Sequence, residues 1–354
     1  MPCGDDALAC LAEAERLLRQ RHLPEAFAVF HQAEKLGVAA DRCCAGRWMT
    51  AMLSGDLATA WLESDAIRTR GTPDPHRFWN GEDLHDARVI VRCLHGLGDT
   101  VQMLRYAPLL QEIASSVVFE VPPRFVPLAR FFHGVDKVVT WGDDAPLQSP
   151  AWDVQVEIME LPFLFRTTES ALPIAQLYID LPTPIIAKVS TAMQSHGLPR
   201  IGLVWAGGEW NRARSIPLAS FAPLLREEER NHRGEALHCT REFWNLQGGP
   251  ASADAAGYPL RDANAACGDG LVALAATIAN LDLIITVDTL AAHLAGALGK
   301  SVWLMLHDES DWRWMTARED TPWYPTMRLF RQPTPGDWPA VIDTIQTELW
   351  ERFR

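Results

Sequence analysis

Three stretches of this sequence set ionisable side chains directly behind apolar runs that read as strands. The first is Gly96-Leu-Gly-Asp-Thr100, which follows residues 88–94. Gly96 and Gly98 let the chain turn sharply and bring backbone N–H groups toward a ligand. Asp99 and Thr100 then fall at the start of a helix. A carboxylate there can take a proton from an attacking hydroxyl, or it can simply cap the helix. A G-x-G pair with no third glycine is weak evidence for a dinucleotide.

The second stretch is Val287-Asp288-Thr289-Leu290 through His293. A strand ends at Asp288 and a helix begins at once. The amides of Thr289 and Leu290 point out of that helix start, which suits a diphosphate. His293 lies one turn on, on the face of Thr289. It either donates to a phosphate or holds the turn. Gly296 and Gly299 suit close packing and a helix stop. The third stretch runs from Trp205 to Ser215. Its Arg212 and Arg214 suit forked pairing with phosphoryl oxygens, or they form a solvated basic loop. Trp205 heads this stretch on the same donor side. A fourth group, Asp311-Trp-Arg-Trp314 with Trp323-Tyr-Pro325, offers aromatic faces for a base or sugar, or filling for an interface.

Some patterns are missing. The sequence has no D-x-D pair, which many metal-dependent sugar transferases use to hold Mn²⁺ or Mg²⁺. It also lacks the G-x-x-x-x-G-K-[ST] phosphate loop and the G-x-S-x-G elbow. If no metal is present, arginines and helix amides must neutralise a leaving diphosphate. No metal and no cofactor is the expectation, one that the resemblance described below implies.

The elements that must position these groups follow from periodicity. Residues 7–69 have helical rhythm, with breaks at 21–24 and at Gly55. Two helix pairs of about 34 residues each have the period of tetratricopeptide repeats, or they form a plain helical cap. Two such units must lean on a neighbour. After a 71–88 linker, strand–helix alternation begins: strands at 88–94, 117–121, 138–140 and 154–159, with helices at 101–113 and 125–132. It restarts beyond Pro182 and Pro184, with strands at 200–206, 281–287 and 301–306. Helices are expected at 271–279, 291–298 and 339–353, and Ser220 is placed as the cap of one through 225. Such alternation indicates parallel sheets with covered faces. Residues 229–269 are poorly patterned beyond a strand near 236–239.

Composition limits the partners. The net charge is −13, which disfavours nucleic acid. The seven cysteines include no C-x-x-C, and no apolar run is long enough to span a bilayer. The N-terminus lacks a basic-then-apolar signal pattern. The expectation is a cytoplasmic protein with no transmembrane segment.

Residues 96–108, Gly-Leu-Gly-Asp-Thr-Val-Gln-Met-Leu-Arg-Tyr-Ala-Pro, resemble the start of bacterial tetratricopeptide-repeat glycosyltransferases. So do residues 279–300. Arg214–Leu218, Trp312–Trp314, Arg318–Asp320 and Trp323–Pro325 agree as well. Those proteins are related to the ADP-heptose:lipopolysaccharide heptosyltransferases of glycosyltransferase family 9. The resemblance covers most of residues 45–345. It implies an α/β fold of GT-B type, two Rossmann-like domains facing a cleft, behind a short tetratricopeptide-like helical segment. The expected divisions are 1–70 (helical), 71–185 (acceptor side), 186–335 (nucleotide-sugar side) and 336–354 (terminal helix).

The resemblance further implies metal-independent inverting transfer from a nucleotide-sugar, with ADP-heptose a candidate. The acceptor would be a glycan, lipid-linked or protein hydroxyl. Asp99 matches the family's base, with Gly96, Gly98 and Thr100 on the acceptor-side turn. Asp288, Thr289, Leu290 and His293 match the donor segment, beside Trp205, Arg212 and Arg214. The chain departs from the family at Leu290, where glycine is usual, and at Arg212 and Arg214, where lysine is common. The alternatives are a non-catalytic nucleotide-sugar-binding or adaptor protein, and a sugar-nucleotide epimerase of the same fold.

Overall fold

The structure, a computed structural model, describes residues 4–70, 78–141, 152–173, 177–194, 196–209, 211–225, 228–230, 236–238 and 241–353. Part of the expected linker, residues 71–77, lies outside these, as do Cys3 and Cys239.

Four helices open the chain, Asp5–Arg19, Leu23–Lys35, Ala40–Ser54 and Leu57–Arg70, each packed on the next. The first pair closes over Ala7, Leu11, Ala14, Ala26 and Phe30, which share the helical spacing read from the sequence. Arg47 is buried between Glu34 at 2.6 Å and Glu63 at 2.7 Å. A guanidinium taken out of water needs such partners. The segment leans on both units that follow. Trp61 donates its indole N–H to the Thr167 carbonyl at 2.6 Å, and the Thr316 N–H donates to the Leu53 carbonyl at 3.0 Å.

Strands β1 (Arg88–Arg92), β2 (Ser116–Val121), β3 (Val138–Thr140) and β4 (Val154–Glu157) form a parallel sheet in the order β3-β2-β1-β4. The second sheet is also parallel. Beyond β5 (Arg200–Val204), a small antiparallel pair intervenes, β6 (Glu228–Arg230) with β7 (Ala236–His238). Then come β8 (Glu242–Asn245), β9 (Arg261–Asp262), β10 (Leu283–Val287), β11 (Val302–Leu306) and β12 (Met327–Arg331). With β5 they are ordered β12-β11-β10-β5-β8-β9.

In each sheet the chain winds outward from one strand, returns to that strand's other side, and winds the opposite way. The switch points are β1/β4 and β5/β10. Open α/β sheets bind ligands beyond the carboxyl ends of their strands at such points. All three ionisable stretches follow switch-point strands: Gly96–Thr100 after β1, Trp205–Ser215 after β5, and Asp288 after β10. One apolar cluster runs from the first sheet through helices Leu97–Met103 and Leu290–Ala297 to one face of the second sheet. Helix Trp338–Arg352 covers the other face.

Three expectations are corrected. The helix read over 101–113 is broken into Leu97–Met103, a 3-10 turn Leu104–Tyr106, and Ala107–Ile113. Pro108 causes the break, since it cannot donate and its ring crowds the carbonyl four residues back. The helix read from Ser220 is only the 3-10 turn Leu218–Phe221. The unpatterned 229–269 region contains β8, a wholly buried neighbour of β5. Its polar Glu242 hid the strand in the sequence. Its charge is met by Arg261 at 3.3 Å, and His196 lies 3.1 Å away.

Helices Leu97–Met103 and Leu290–Ala297 pack directly on each other, and two glycines permit the approach. A Cβ on Gly98 would lie 2.7 Å from the His293 ring, and one on Gly296 would lie 2.3 Å from the Tyr324 ring. Gly296→Ala therefore overpacks the seam and should lower the unfolding free energy by about 1–3 kcal/mol in a urea titration. Gly248→Ala, whose added methyl meets nothing within 4 Å, should change it by less than about 0.5 kcal/mol. Equal effects at the two positions would contradict the packing.

Candidate active site

The site grows from the two switch points. Gly96 is the N-cap of helix Leu97–Met103, and Asp99 is its third residue. Its Oδ2 accepts the Gly96 N–H at 3.0 Å, so the capping role read from the sequence is present. Its Oδ1 lies 2.7 Å from the Arg313 guanidinium. Thr100 is fully buried, its hydroxyl 3.3 Å from the Gly96 carbonyl, and it does not face the cleft.

On the opposite side, Thr289 is the N-cap of helix Leu290–Ala297. Its hydroxyl turns to Thr286 at 3.2 Å and makes no side-chain cap; the Ala292 N–H donates to the Thr289 carbonyl at 3.0 Å, and the amides ahead of it are left for a ligand. Arg214 stands beside this helix start and donates to the Asp288 carbonyl at 2.9 Å. Burial pushes its guanidinium below the usual range, while Asp288 and Asp311 pull it back up. Arg212 is exposed. The two arginines paired in the sequence reading are thus separated, and only Arg214 reaches the helix start. Trp205 is 1% exposed within the second core and offers no ring face to a ligand. Its expected place at the donor is corrected to a packing role. The Trp205 and Ala206 N–H groups donate to Gln247 Oε1 at 3.1 and 2.8 Å, which fixes the loop.

His293 resolves toward the structural side of its two readings. It is buried, its ring stacked on Trp314 with centroids 5.4 Å apart. Nδ1 lies 3.0 Å from the Tyr324 hydroxyl. Nε2 faces Asp288 Oδ1 at 3.7 Å, an electrostatic contact too long for a hydrogen bond. Both nitrogens face protein groups. Burial lowers the proton affinity of His293, and Asp288 only partly restores it. Burial alone would raise the Asp288 carboxyl, but His293 and Arg313 hold it at about 2.

Arg313 was read only as part of an aromatic run. Folded, it is the centre of the site. Nε holds Asp311 at 2.9 Å, and NH1 donates to Gln102 Oε1 at 3.0 Å, alongside the Asp99 contact. Burial works against its charge, but Asp311, Asp99 and Asp288 keep its proton affinity above the ordinary arginine value. An arginine behind an aspartate and between two tryptophans was the only sequence signal. A second cation, Arg105, is fully buried at the seam, about 5 Å from the Tyr178 and Tyr324 ring centroids, and donates to the Trp323 carbonyl at 2.8 Å.

The acceptor-side rim was also missed. His95 lies 3.5 Å from Glu157, at the end of β4. Burial raises the Glu157 and Glu160 carboxyls above the usual range. Among the described residues, no three His, Cys, Asp or Glu side chains are grouped to hold a metal ion, and no helix is long and apolar enough to cross a membrane.

No protein-family profile matches the chain. Protein FlbA of Caulobacter vibrioides is 24% identical over 387 aligned positions, covering 96% of this chain. The chain spans 58% of that relative's length. ADP-heptose lipopolysaccharide heptosyltransferase II of E. coli is similar in structure, with TM-score 0.52 and 13% identity over 75% of this chain and 99% of that one. A family 9 glycosyl transferase from Veillonella parvula gives TM-score 0.50 and 12% identity over 77% and 91%. The chain has the two-unit GT-B fold of these heptosyltransferase-like proteins.

The depressed His293 proton affinity sets a pH dependence. The unfolded chain takes up this proton first, so the stability is full above the ordinary histidine value of about 6.5 and is lost as pH falls below it. The unfolding free energy should drop between about pH 7 and pH 5, and drop less in His293→Gln. An identical slope in the two proteins would contradict the buried, neutral histidine.

Proposed function

We propose that this chain is a glycosyltransferase, moving a sugar from a nucleotide-sugar to an acceptor hydroxyl with inversion and without a metal ion. One observation carries the reading. Asp99, at the β1/β4 switch point, sits across the seam from the uncapped start of helix Leu290–Ala297, at the β5/β10 switch point. Arg313 holds Asp99 at this seam, and Trp314 beside it stacks on His293 of that helix.

The chemistry follows from that opposition. The Asp99 carboxylate takes the acceptor O–H proton as that oxygen's electron pair bonds to the anomeric carbon. The bond from that carbon to the diphosphate oxygen breaks, and the diphosphate leaves with its electron pair. Attack from the face opposite the leaving group inverts the centre. The Thr289–Ala291 amides and Arg214 meet the departing charge, preorganised and shielded from water. His293, held by Tyr324 and Trp314, supports the helix start from beneath.

The net charge of −13 disfavours an extended polyanionic acceptor. A neutral sugar or protein hydroxyl suits the chain better. ADP-heptose remains one donor candidate, since a heptosyltransferase shares the fold. The four helices serve as a tetratricopeptide-like platform for the acceptor, and the protein works in the cytoplasm.

A thermal-shift screen of ADP-, UDP- and GDP-sugars identifies the donor, because a ligand of the native state raises the melting temperature. With that donor, Asp99→Asn should cut kcat by about 10²–10⁴-fold without weakening donor binding. Full turnover in Asp99→Asn would remove Asp99 as the base. No shift with any nucleotide-sugar would favour the adaptor alternative.

A further inference from the structure

We infer that Arg313 is a latch on Asp99 that the donor's diphosphate opens, so that donor must bind before acceptor. The inference rests on the glycosyltransferase reading and adds the regulation of the same site.

Both Asp99 oxygens are engaged. Oδ2 holds the Gly96 amide at 3.0 Å, and Oδ1 is covered by Arg313 at 2.7 Å. A base must offer a lone pair to the acceptor hydroxyl, and the covering guanidinium stands in the way. The Arg313 fork is itself spent on Asp99, Asp311 and the Gln102 amide oxygen.

Arg313 lies beside helix Leu290–Ala297, because the next residue, Trp314, stacks on His293 of that helix at 5.4 Å. A diphosphate arriving there brings two or more negative charges into a nearly dry seam. Arg212 is in solvent, and Arg214, anchored on the Asp288 carbonyl, is the one arginine fixed at the helix start itself. Arg313 is the buried cation held by carboxylates. A diphosphate offers it more charge and more acceptor oxygens than one carboxylate does. Its transfer uncovers Asp99.

The turn carrying Arg313 is fixed, so that only the side chain need swing. Asp311 Oδ1 accepts the Arg313 backbone N–H at 3.1 Å. Trp312 packs edge-on to Trp48 of the helical segment, Trp314 stacks on His293, and Thr316 is tied to Leu53. When the diphosphate leaves, the guanidinium has a fixed place to return to.

A double-mutant cycle tests this, with calorimetry of ADP, UDP, GDP and inorganic pyrophosphate binding to the full chain. Asp99→Asn removes the latch's partner and should tighten diphosphate binding by about fivefold or more. Arg313→Gln should weaken it, and Asp99→Asn should then add nothing. Unchanged affinity in Asp99→Asn overturns the latch. A gain that persists in the Arg313→Gln background also overturns it, because it reports only the loss of a repelling charge. If Arg313→Gln does not fold, Arg313→Lys replaces it. Lysine keeps the charge but loses the fork, so the gain must shrink. Wild-type protein that binds none of the four probes takes the latch down with the donor reading. Failure of the latch alone leaves wild-type binding intact.

Discussion

A single guanidinium, shared by carboxylates from both α/β units, is the constraint on which the seam depends. Asp99 belongs to the first unit, while Arg313 and Asp311 belong to the second. Removing Arg313 leaves both carboxylates without the cation that holds them at this join. This sharing therefore fixes how the units meet as well as what lies between them. Arg105 reinforces the same join, with its charge set among aromatic rings and carbonyls.

That constraint works because the backbones come close. Helices Leu97–Met103 and Leu290–Ala297 touch where Gly98 and Gly296 leave room for the His293 and Tyr324 rings. Each helix begins at a switch point, so the close approach also brings two carboxyl-end clefts together. The helical segment joins the same network through Trp48 on Trp312 and Leu53 on Thr316. Three successive residues of one short turn thus face the helices, Asp99 and His293, which links the N-terminal segment mechanically to the seam.

Much of this was legible in the sequence because strand-ending turns announce themselves. The glycines at 96 and 98 and the acids at 99 and 288 sit at abrupt changes of hydrophobic period, and the structure places both acids at switch points. Helix Leu271–Ala279 matches its expected bounds, since its apolar run ends in Asn280 and Asp282. What escaped was whatever depends on a distant partner. β8 carries a glutamate made tolerable by Arg261, from another strand. Trp205 was placed beside the donor, but the second core claims its ring. His293 and Thr289 share a helix face, yet Tyr324 and Trp314 enclose the histidine alone. Arg313 has no periodic or motif signature for its role, which exists only once residue 99 is folded against it, over two hundred positions away.

The central claim is that the second unit's helix start receives a diphosphate directly opposite Asp99. A crystal structure of the protein with a nucleoside diphosphate tests it most directly. The account predicts diphosphate oxygens about 2.7–3.2 Å from the Thr289–Ala291 amides and from Arg214, with the Asp99 carboxylate facing them across the seam. A diphosphate bound on the first unit, or on any surface that Asp99 does not face, would contradict it.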